Sequence, residues 1–293
     1  MSLFKRDHKE ISRTAYNHII FRTFYGVPFA DEFMRAAKKY CPPEHLFEEN
    51  VLRKTSPIFE SRYRGGEEAL EKFIKINPDC TVLELAAGFS LHGATLAEKY
   101  PRIKYIETDL PDIIKIKEKI MKGIGANRSN IFFKSANALD SSTLKKISVA
   151  AKTGSKIVVY CEGLLSYFDD DEKRKIAKTI KGIVEKYGGV WITPDPALSV
   201  ESREFLKKSW PAFRQTLKKA EKMAKQKYDN HGFQSIKDTD RFFRECEFSI
   251  RKYNWPTKLN FLKTSEYSEK KISEFKSVLK KYGKVWILSL HGS

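Results

Sequence analysis

The ten residues Thr81-Val82-Leu83-Glu84-Leu85-Ala86-Ala87-Gly88-Phe89-Ser90 constrain the fold more than any other stretch of the chain. A short aliphatic run, an acidic residue and a turn of small residues describe a strand covered on both faces that feeds a helix. Ala86, Ala87 and Gly88 lack bulk where a ligand must approach the backbone. Such a turn at the carboxyl end of a first parallel strand is where doubly wound folds bind their ligands.

Strict alternation follows: strand 80–86, helix about 90–99, strand about 103–109, helix about 111–122, strand about 130–134. That is a βαβαβ unit and predicts a parallel sheet with helices on both faces. A fourth strand covers 156–161. Asp169-Asp170-Asp171 then start a helix to about Tyr187, the acids favouring its amino end. A fifth strand covers 189–194, a helix runs through Phe243, and strands at 246–253 and 284–290 make a plausible antiparallel terminal pair.

Most of the strands deliver a polar residue to the same edge. The first carries Glu84. The second ends in Asp109 about 20 residues past the turn, the separation at which a carboxylate accepts both ribose hydroxyls, with Leu110-Pro111 opening the next helix. Glu107 shares the face of Asp109 and is the reserve. After the third strand, Asn137 is the choice for an adenine edge and Ala138 adjoins it. Asp140 with Ser141 and Ser142 reads equally as a helix cap. The fourth strand delivers Glu162-Gly163, where Glu162 faces a ligand's ammonium group or the reacting centre, or else merely caps a turn. The fifth delivers Asp195. Only Gly88 remains of the dinucleotide fingerprint, with Ala86 and Ser90 in its flanking small positions, so a nicotinamide cofactor is disfavoured. S-adenosylmethionine is the leading candidate: it has no pyrophosphate to cradle, and Glu84 is placed to orient its amino acid end.

Residues 12–39, with Ile11 just before them, carry Ala15, Ile19, Phe24, Phe29 and Phe33 at helical spacing, interrupted around Gly26-Val27-Pro28 and closed by Cys41-Pro42-Pro43. Phe21, Phe24, Tyr25 and Phe29 line a substrate pocket or form core. Ser56-Pro57 precedes Arg62-Tyr63-Arg64, read as lying just upstream of a helix Glu67 to Ile76. An arginine there holds a carboxylate bidentately, or is an ordinary surface residue at a helix start. The lysine-rich stretch 198–228, with Phe205, Trp210, Phe213 and Met223, reads as a cap in which, with the amino-terminal helices, substrate selection resides. The expected division is a helical extension over 1–76 and a Rossmann-like domain over 77–293, with the cap inserted at about 198–232.

The formal charge of +18 invites a nucleic-acid partner. The lysines, Lys115, Lys117, Lys119 and Lys122 and then Lys173, Lys175, Lys178 and Lys181 among them, fall in helical segments and read mostly as solvated faces. Nucleic acid is therefore possible and not favoured. No apolar run approaches the roughly 20 residues that span a bilayer, the start is charged, and a cytoplasmic protein with no membrane partner is expected. Cys41, Cys80, Cys161 and Cys246 lack paired spacing and read as reduced thiols, with neither zinc nor a disulfide frame. Nothing in the chain indicates a metal site.

Glu84-Leu85-Ala86-Ala87-Gly88-Phe89-Ser90, Ile106-Glu107-Thr108-Asp109-Leu110-Pro111, Ala136-Asn137-Ala138-Leu139-Asp140 and Cys161-Glu162-Gly163-Leu164-Leu165-Ser166-Tyr167 occur in this order. Together they resemble the leucine carboxyl methyltransferase superfamily, especially its bacterial polyketide-type O-methyltransferase branch. Ile11-Ser12-Arg13-Thr14-Ala15 and Arg62-Tyr63 are similar to that branch too. The resemblance covers most of 10–200 and fades in the cap.

It implies a class I methyltransferase fold, a seven-stranded and mostly parallel sheet with an antiparallel last strand, and S-adenosylmethionine as cofactor. Arg62, or Arg64, would grip the methionine carboxylate, the Gly88 loop would pass under the cofactor, Asp109 would hold the ribose, Asn137 and Ala138 the adenine, and Glu162 the methionine end. Ala86 stands where the family commonly has a glycine, and the arginine element is not spaced as in the eukaryotic carboxyl methyltransferases.

The activity implied is methyl transfer to a hydroxyl or carboxylate of a small molecule. The alternatives are a carboxyl methyltransferase of a macromolecule, such as modified tRNA or a protein C-terminus, and a non-catalytic binder of the cofactor. A carboxylate acceptor needs no base; for a phenol or alcohol, Glu162, Tyr167 and Asp195 are the candidates.

Overall fold

The strand alternation builds one seven-stranded sheet in the order β3-β2-β1-β4-β5-β7-β6. A computed structural model describes residues 15–40, 49–151, 154–225, 227–259 and 267–290. β1 (Thr81–Leu85) lies at the centre, parallel to β2 (Lys104–Asp109) and β4 (Ile157–Cys161), with Glu84 in register with Glu107 and Tyr160. β3 (Ile131–Ser135) and β5 (Gly189–Thr193) extend the parallel set. β7 (Lys284–Ser289) inserts antiparallel between β5 and β6 (Ser249–Asn254). All five residues of β1 and of β4 are buried, as a strand covered on both faces requires.

Eleven α-helices are described. They are α1 (Ala15–Phe24), α2 (Ala30–Ala37), α3 (Glu49–Ile76), α4 (His92–Lys99), α5 (Pro111–Gly123), α6 (Ser141–Ser148), α7 (Asp170–Tyr187), α8 (Val200–Ser209), α9 (Pro211–Met223), α10 (Ile236–Glu245) and α11 (Glu269–Tyr282). Asp169 caps α7 in a reciprocal box with Glu172, and Asp140 caps α6 through the backbone N–H groups of Ser142 and Thr143. α11 falls in a stretch to which the sequence reading gave no element. Ile11 to Thr14, Cys41-Pro42-Pro43 and the side chain of Met223 lie outside the described residues.

The largest departure is α3, a single helix of 28 residues where the sequence suggested a short piece and a later helix from Glu67. Pro57 sits inside it and removes one helical hydrogen bond. Gly65 and Gly66 lie inside this helix and answer to packing. A Cβ on Gly66 would stand 2.1 Å from the Tyr160 hydroxyl, and one on Gly65 would stand 2.8 Å from Trp255. α3 packs on β5 and β7 and also carries α1 and α9, so the sheet, the first helix and α9 share one spine. The junction of α8 and α9 is tied to it by the Trp210 indole N–H, which donates to the Lys54 carbonyl at 2.8 Å. α1 and α2 bury Tyr16, Ile19, Phe21 and Phe33 in a second core with Phe89, Leu91 and Ile113.

Two of the lysines assigned to solvated faces are buried. Lys173 donates to Asp170 at 2.9 Å and lies over the Phe233 ring. Lys117 Nζ lies 2.7 Å from Glu107 Oε2, an ion-pair contact whose angles depart from a good hydrogen bond. Among the described residues, no helix is long and apolar enough to cross a membrane.

Candidate active site

The turn after β1 holds the chain in two left-handed conformations, Ala86 at φ 50° and Gly88 at φ 46°. For Ala86 this costs about 1–2 kcal/mol relative to glycine. The turn is tied to the next strand at two points, and the second of them also holds the residue that follows that strand. The Ala87 N–H donates to the Thr108 carbonyl, and Asp109 accepts from the N–H of Gly88 on one oxygen and of Leu110 on the other, both at 2.7 Å. Burial raises the Asp109 pKa, against the opposing effect of those two N–H groups. Each oxygen retains acceptor capacity. Ala86, Gly88, Asp109, Leu110, Asn137, Ala138 and Glu162 line one cleft at the carboxyl edge of the sheet. Asn137 Oδ1 accepts from the Leu139 N–H at 2.9 Å, which leaves its NH2 as the donor for a ligand edge.

Several expected residues have other occupations. Glu84 borders the cleft, but its carboxylate accepts from Ser90 and from Tyr105, each at 2.8 Å, and so braces the turn from beneath instead of facing the amino acid end of a ligand. Glu107, the reserve for Asp109, is fully buried against Lys117, and burial raises its pKa to about 7. Asp140 is spent on its cap, where the Thr143 hydroxyl and the other donors of that turn lower its pKa to about 2. Arg64 points away, donating to the Tyr25 carbonyl and to Glu67, so of the two arginine candidates only Arg62 lines the cleft.

Glu162 is a hub. It accepts from Arg62 Nε and from the Tyr160 hydroxyl, both at 3.0 Å, lies 3.6 Å from Arg22 Nη2 and contacts His92 Nε2 at 3.5 Å. Burial by itself would raise its pKa. Arg62, the His92 hydrogen bond and Arg22 outweigh that and hold it well below the ordinary value. The expectation that this carboxylate faces a ligand's ammonium group meets a geometry in which both oxygens already have protein partners. It is the anchor that orients two guanidinium groups.

Arg22 and His18, both on α1, are the residues that sequence reasoning missed. Arg22 is 3% exposed, its guanidinium sits 4.1 Å from the Tyr63 ring centroid, and its Nε and Nη1 have no hydrogen-bond partner among the described residues. Tyr63 in turn stacks on His92 at 3.9 Å, so a column of planar groups backs the hub. The available signal was positional: a cation three residues beyond Ile19 on the buried face of an amphipathic helix, where an unpaired charge is expensive. Burial, then Arg62 and Arg22, lower the His18 pKa to about 3, so its imidazole is neutral at physiological pH.

A second cavity adjoins the first, and His18, Arg62, Gly163 and Tyr167 line both. Its walls include Phe21 and Phe59, stacked at 4.5 Å, with Phe213 and Tyr228 from the cap region. Of the four aromatics proposed for a pocket, only Phe21 lines it; Tyr25 is buried core, and Phe24 and Phe29 pack on the core around α1 and α2. Asp195 also borders the cavity, but it accepts from the backbone N–H of Gly163, Leu164 and Leu165 and so shapes the Glu162 loop. Burial raises its pKa, with Arg62 and those N–H groups opposing. The Tyr167 hydroxyl meets that of Tyr228 at 3.3 Å. Burial raises the Cys161 thiol far above its usual range, consistent with inert packing.

No family model matches the sequence, and no curated protein is similar to it. Solved structures are. Human N-acetylserotonin methyltransferase in complex with S-adenosylmethionine superposes with a TM-score of 0.50 at 12% identity, over 93% of this chain and 62% of that one. TnmH gives 0.51 at 10% identity, over 92% and 63%. An O-methyltransferase family protein from Burkholderia thailandensis gives 0.48 at 14% identity, over 80% and 59%. The chain thus spans about three fifths of the length of these structures. What the likeness to the first two shows is the fold, that of class I methyltransferases.

Proposed function

We propose that the chain transfers a methyl group from S-adenosylmethionine to an oxygen of a small-molecule acceptor. The observation that carries this reading is the Arg22 guanidinium, buried and with its Nε and Nη1 nitrogens unpartnered among the described residues, beside Arg62 in a cleft whose other walls are the Gly88 turn, Asp109 and Asn137. The donor set fits the cofactor. Arg22 and Arg62 match the methionine carboxylate, since guanidinium forks bind carboxylates bidentately. Asp109 has lone pairs to spare for a ribose diol, and Asn137 with the Ala138 backbone suits an adenine edge. The bound cofactor supplies an electrophilic methyl group. The protein's part is to hold Arg62 in place through Glu162, keep the Gly88 turn open through Asp109, and align an acceptor oxygen at the junction of the two cavities while excluding water.

The ordered motifs support membership in the leucine carboxyl methyltransferase superfamily, in its polyketide-type branch. We assign α1 to α3 the role of an extension that completes both cavities, and the segment 198–232 that of a cap inserted in the Rossmann-like domain. The free thiols of Cys80 and Cys161 accord with a cytoplasmic setting. A macromolecular acceptor gains no support from the charge, because exposed lysines such as Lys115, Lys175, Lys218 and Lys276 sit on the backs of α5, α7, α9 and α11. Calorimetric titration with S-adenosylmethionine and S-adenosylhomocysteine, followed by a labelled-methyl screen of phenols, carboxylic acids and tRNA, tests the reading. Absence of cofactor binding would refute it; binding with no transfer to any acceptor would favour a non-catalytic binder.

A further inference from the structure

We infer that the outer face of α9 docks on an anionic membrane surface and brings the second cavity, which the inner face of the same helix lines, to the boundary between lipid and water. This goes beyond the methyltransferase reading and does not depend on it. Phe213, Thr216, Leu217 and Ala220 of α9 face the cavity, while Arg214, Lys218, Lys219 and Lys222 are exposed, with Lys225 just beyond the helix end. Arg214, Lys218 and Lys222 recur every fourth residue and so stand in one row along the helix.

What sets this face apart is its lack of counter-charge. The other lysine-bearing helices have acids that take up their cations. Lys122 pairs with Glu118 on α5 at 2.8 Å, and Lys271 with Glu274 on α11 at 3.7 Å. Arg174 and Lys181 of α7 reach Glu245 and Glu247, and Lys207 of α8 is held by Glu204 and Asp229. α9 has one acid, Glu221, and it accepts from the Tyr228 backbone N–H at 3.0 Å. Among the described residues, no carboxylate lies within 4.0 Å of the charged groups of Arg214, Lys218 or Lys222. Like charges four residues apart on a helix repel, and an anionic surface relieves that cost.

The chemistry of the face selects its occupant. Interfaces between proteins are depleted in lysine and enriched in aromatic side chains and arginine, and this face has one arginine and, among the described residues, no exposed large apolar side chain. Single-stranded nucleic acid is held by aromatic platforms beside a charged groove, and the aromatic residue of this helix, Phe213, is turned inward and buried. Lysine ammonium groups on a convex helix suit a fluid layer of phosphates, and clusters of roughly four to eight basic residues on an amphipathic helix bind acidic lipid headgroups. The cavity agrees with this. Phe21, Phe59 and Phe213 are among its walls, so what it accepts is a molecule that favours lipid over water. The expectation of no membrane partner rests on the lack of a spanning run, and a contact through headgroups needs none.

The test is sedimentation of the full chain with vesicles of phosphatidylcholine, alone or mixed with phosphatidylglycerol. Binding should require the anionic lipid and weaken as salt rises. Each cation near such a surface strengthens binding roughly fivefold, so Arg214→Gln, Lys218→Gln and Lys222→Gln combined should weaken it on the order of 100-fold. The melting temperature and the S-adenosylhomocysteine affinity of that variant should match the parent, since all three side chains are exposed. The same loss of charge on α7, Lys175→Gln with Lys178→Gln and Lys186→Gln, should weaken binding by less than about fivefold, because charges far from the contact are screened. Failure to bind anionic vesicles overturns the inference, as does an equal loss from the two triple variants, which would mark a diffuse effect of net charge. Binding to tRNA that only the α9 variant loses, without binding to vesicles, assigns the face to nucleic acid and overturns it too. Failure of the parent chain to bind S-adenosylhomocysteine refutes the methyltransferase reading and leaves the vesicle result standing.

Discussion

Replacing Glu162 with Gln isolates the hub on which the site is built. The substitution keeps the shape but puts an amide NH2 among four donors, Arg62 Nε, Arg22 Nη2, the Tyr160 hydroxyl and His92, and removes the only carboxylate within 4 Å of both guanidiniums among the described residues. Its side chain is 5% exposed, and those of Arg22 and Arg62 are 4% and 7%. Water therefore cannot screen the uncompensated charge. Breaking a buried pair by removing one partner costs about 3–5 kcal/mol. An unfolding entropy of about 2.1 cal/mol/K per residue gives roughly 0.6 kcal/mol/K for a chain of this size, so the melting temperature should fall by roughly 5–8 °C. Thermal unfolding at pH 7, followed by circular dichroism, measures it. Adding Arg22→Met to Glu162→Gln should recover part of the loss, because one unpaired cation is removed, and the double-mutant cycle should show a coupling of about 1 kcal/mol or more. A fall under about 2 °C, or strictly additive effects, would refute the hub.

Asp109→Ala should weaken S-adenosylhomocysteine binding by about 1–3 kcal/mol in calorimetry, the scale of one hydrogen bond to a charged group; unchanged affinity would retire the ribose assignment. Gly66→Ala adds helix propensity of about 1 kcal/mol but drives a methyl into the Tyr160 hydroxyl, which cannot retreat without leaving Glu162. The clash should win, giving a net destabilisation of about 1–3 kcal/mol by urea unfolding, whereas a stabilised variant would contradict the packing described. His18 ionises near 6.5 when unfolded and at about 3 in the fold, so the unfolded chain binds one more proton between these values and stability falls as the pH drops from 6.5 toward 3. His18→Gln should remove that proton from the slope, about 1.4 kcal/mol per pH unit. Parallel stability–pH curves for the two proteins would count against the buried neutral imidazole.

α3 shows where local reading fails. Pro57 and the pair Gly65-Gly66 are punctuation by any local rule, yet both glycines lie within a helix because Tyr160 and Trp255, about 95 and 190 residues further on, need the space a Cβ would fill. The sequence places Arg62 just upstream of a helix; in the continuous helix α3 its Nε donates to Glu162 at 3.0 Å. Arg22 and His18 were passed over for a related reason. A cation and an imidazole on a helix are by composition surface residues, and the position of Arg22 on the buried face acquires a meaning only once a second helix and a loop close over it.

By itself the sequence determined the parallel alternation and the edge at which the strand-end residues gather. A period of two assigns faces, and chain direction assigns ends, without reference to anything distant. That is why the Gly88 turn, Asp109, Asn137 and Glu162 were all legible as neighbours of one cleft. Only the tertiary structure decided what each polar group does there. Glu84 and Asp195 spend their oxygens on their own surroundings, Glu162 binds two arginines, and Arg22 keeps its Nε and Nη1 without a partner among the described residues. Hydrogen-bonding capacity is finite and is claimed first by whichever partner packing brings within about 3 Å, a distance that spacing along the chain does not encode.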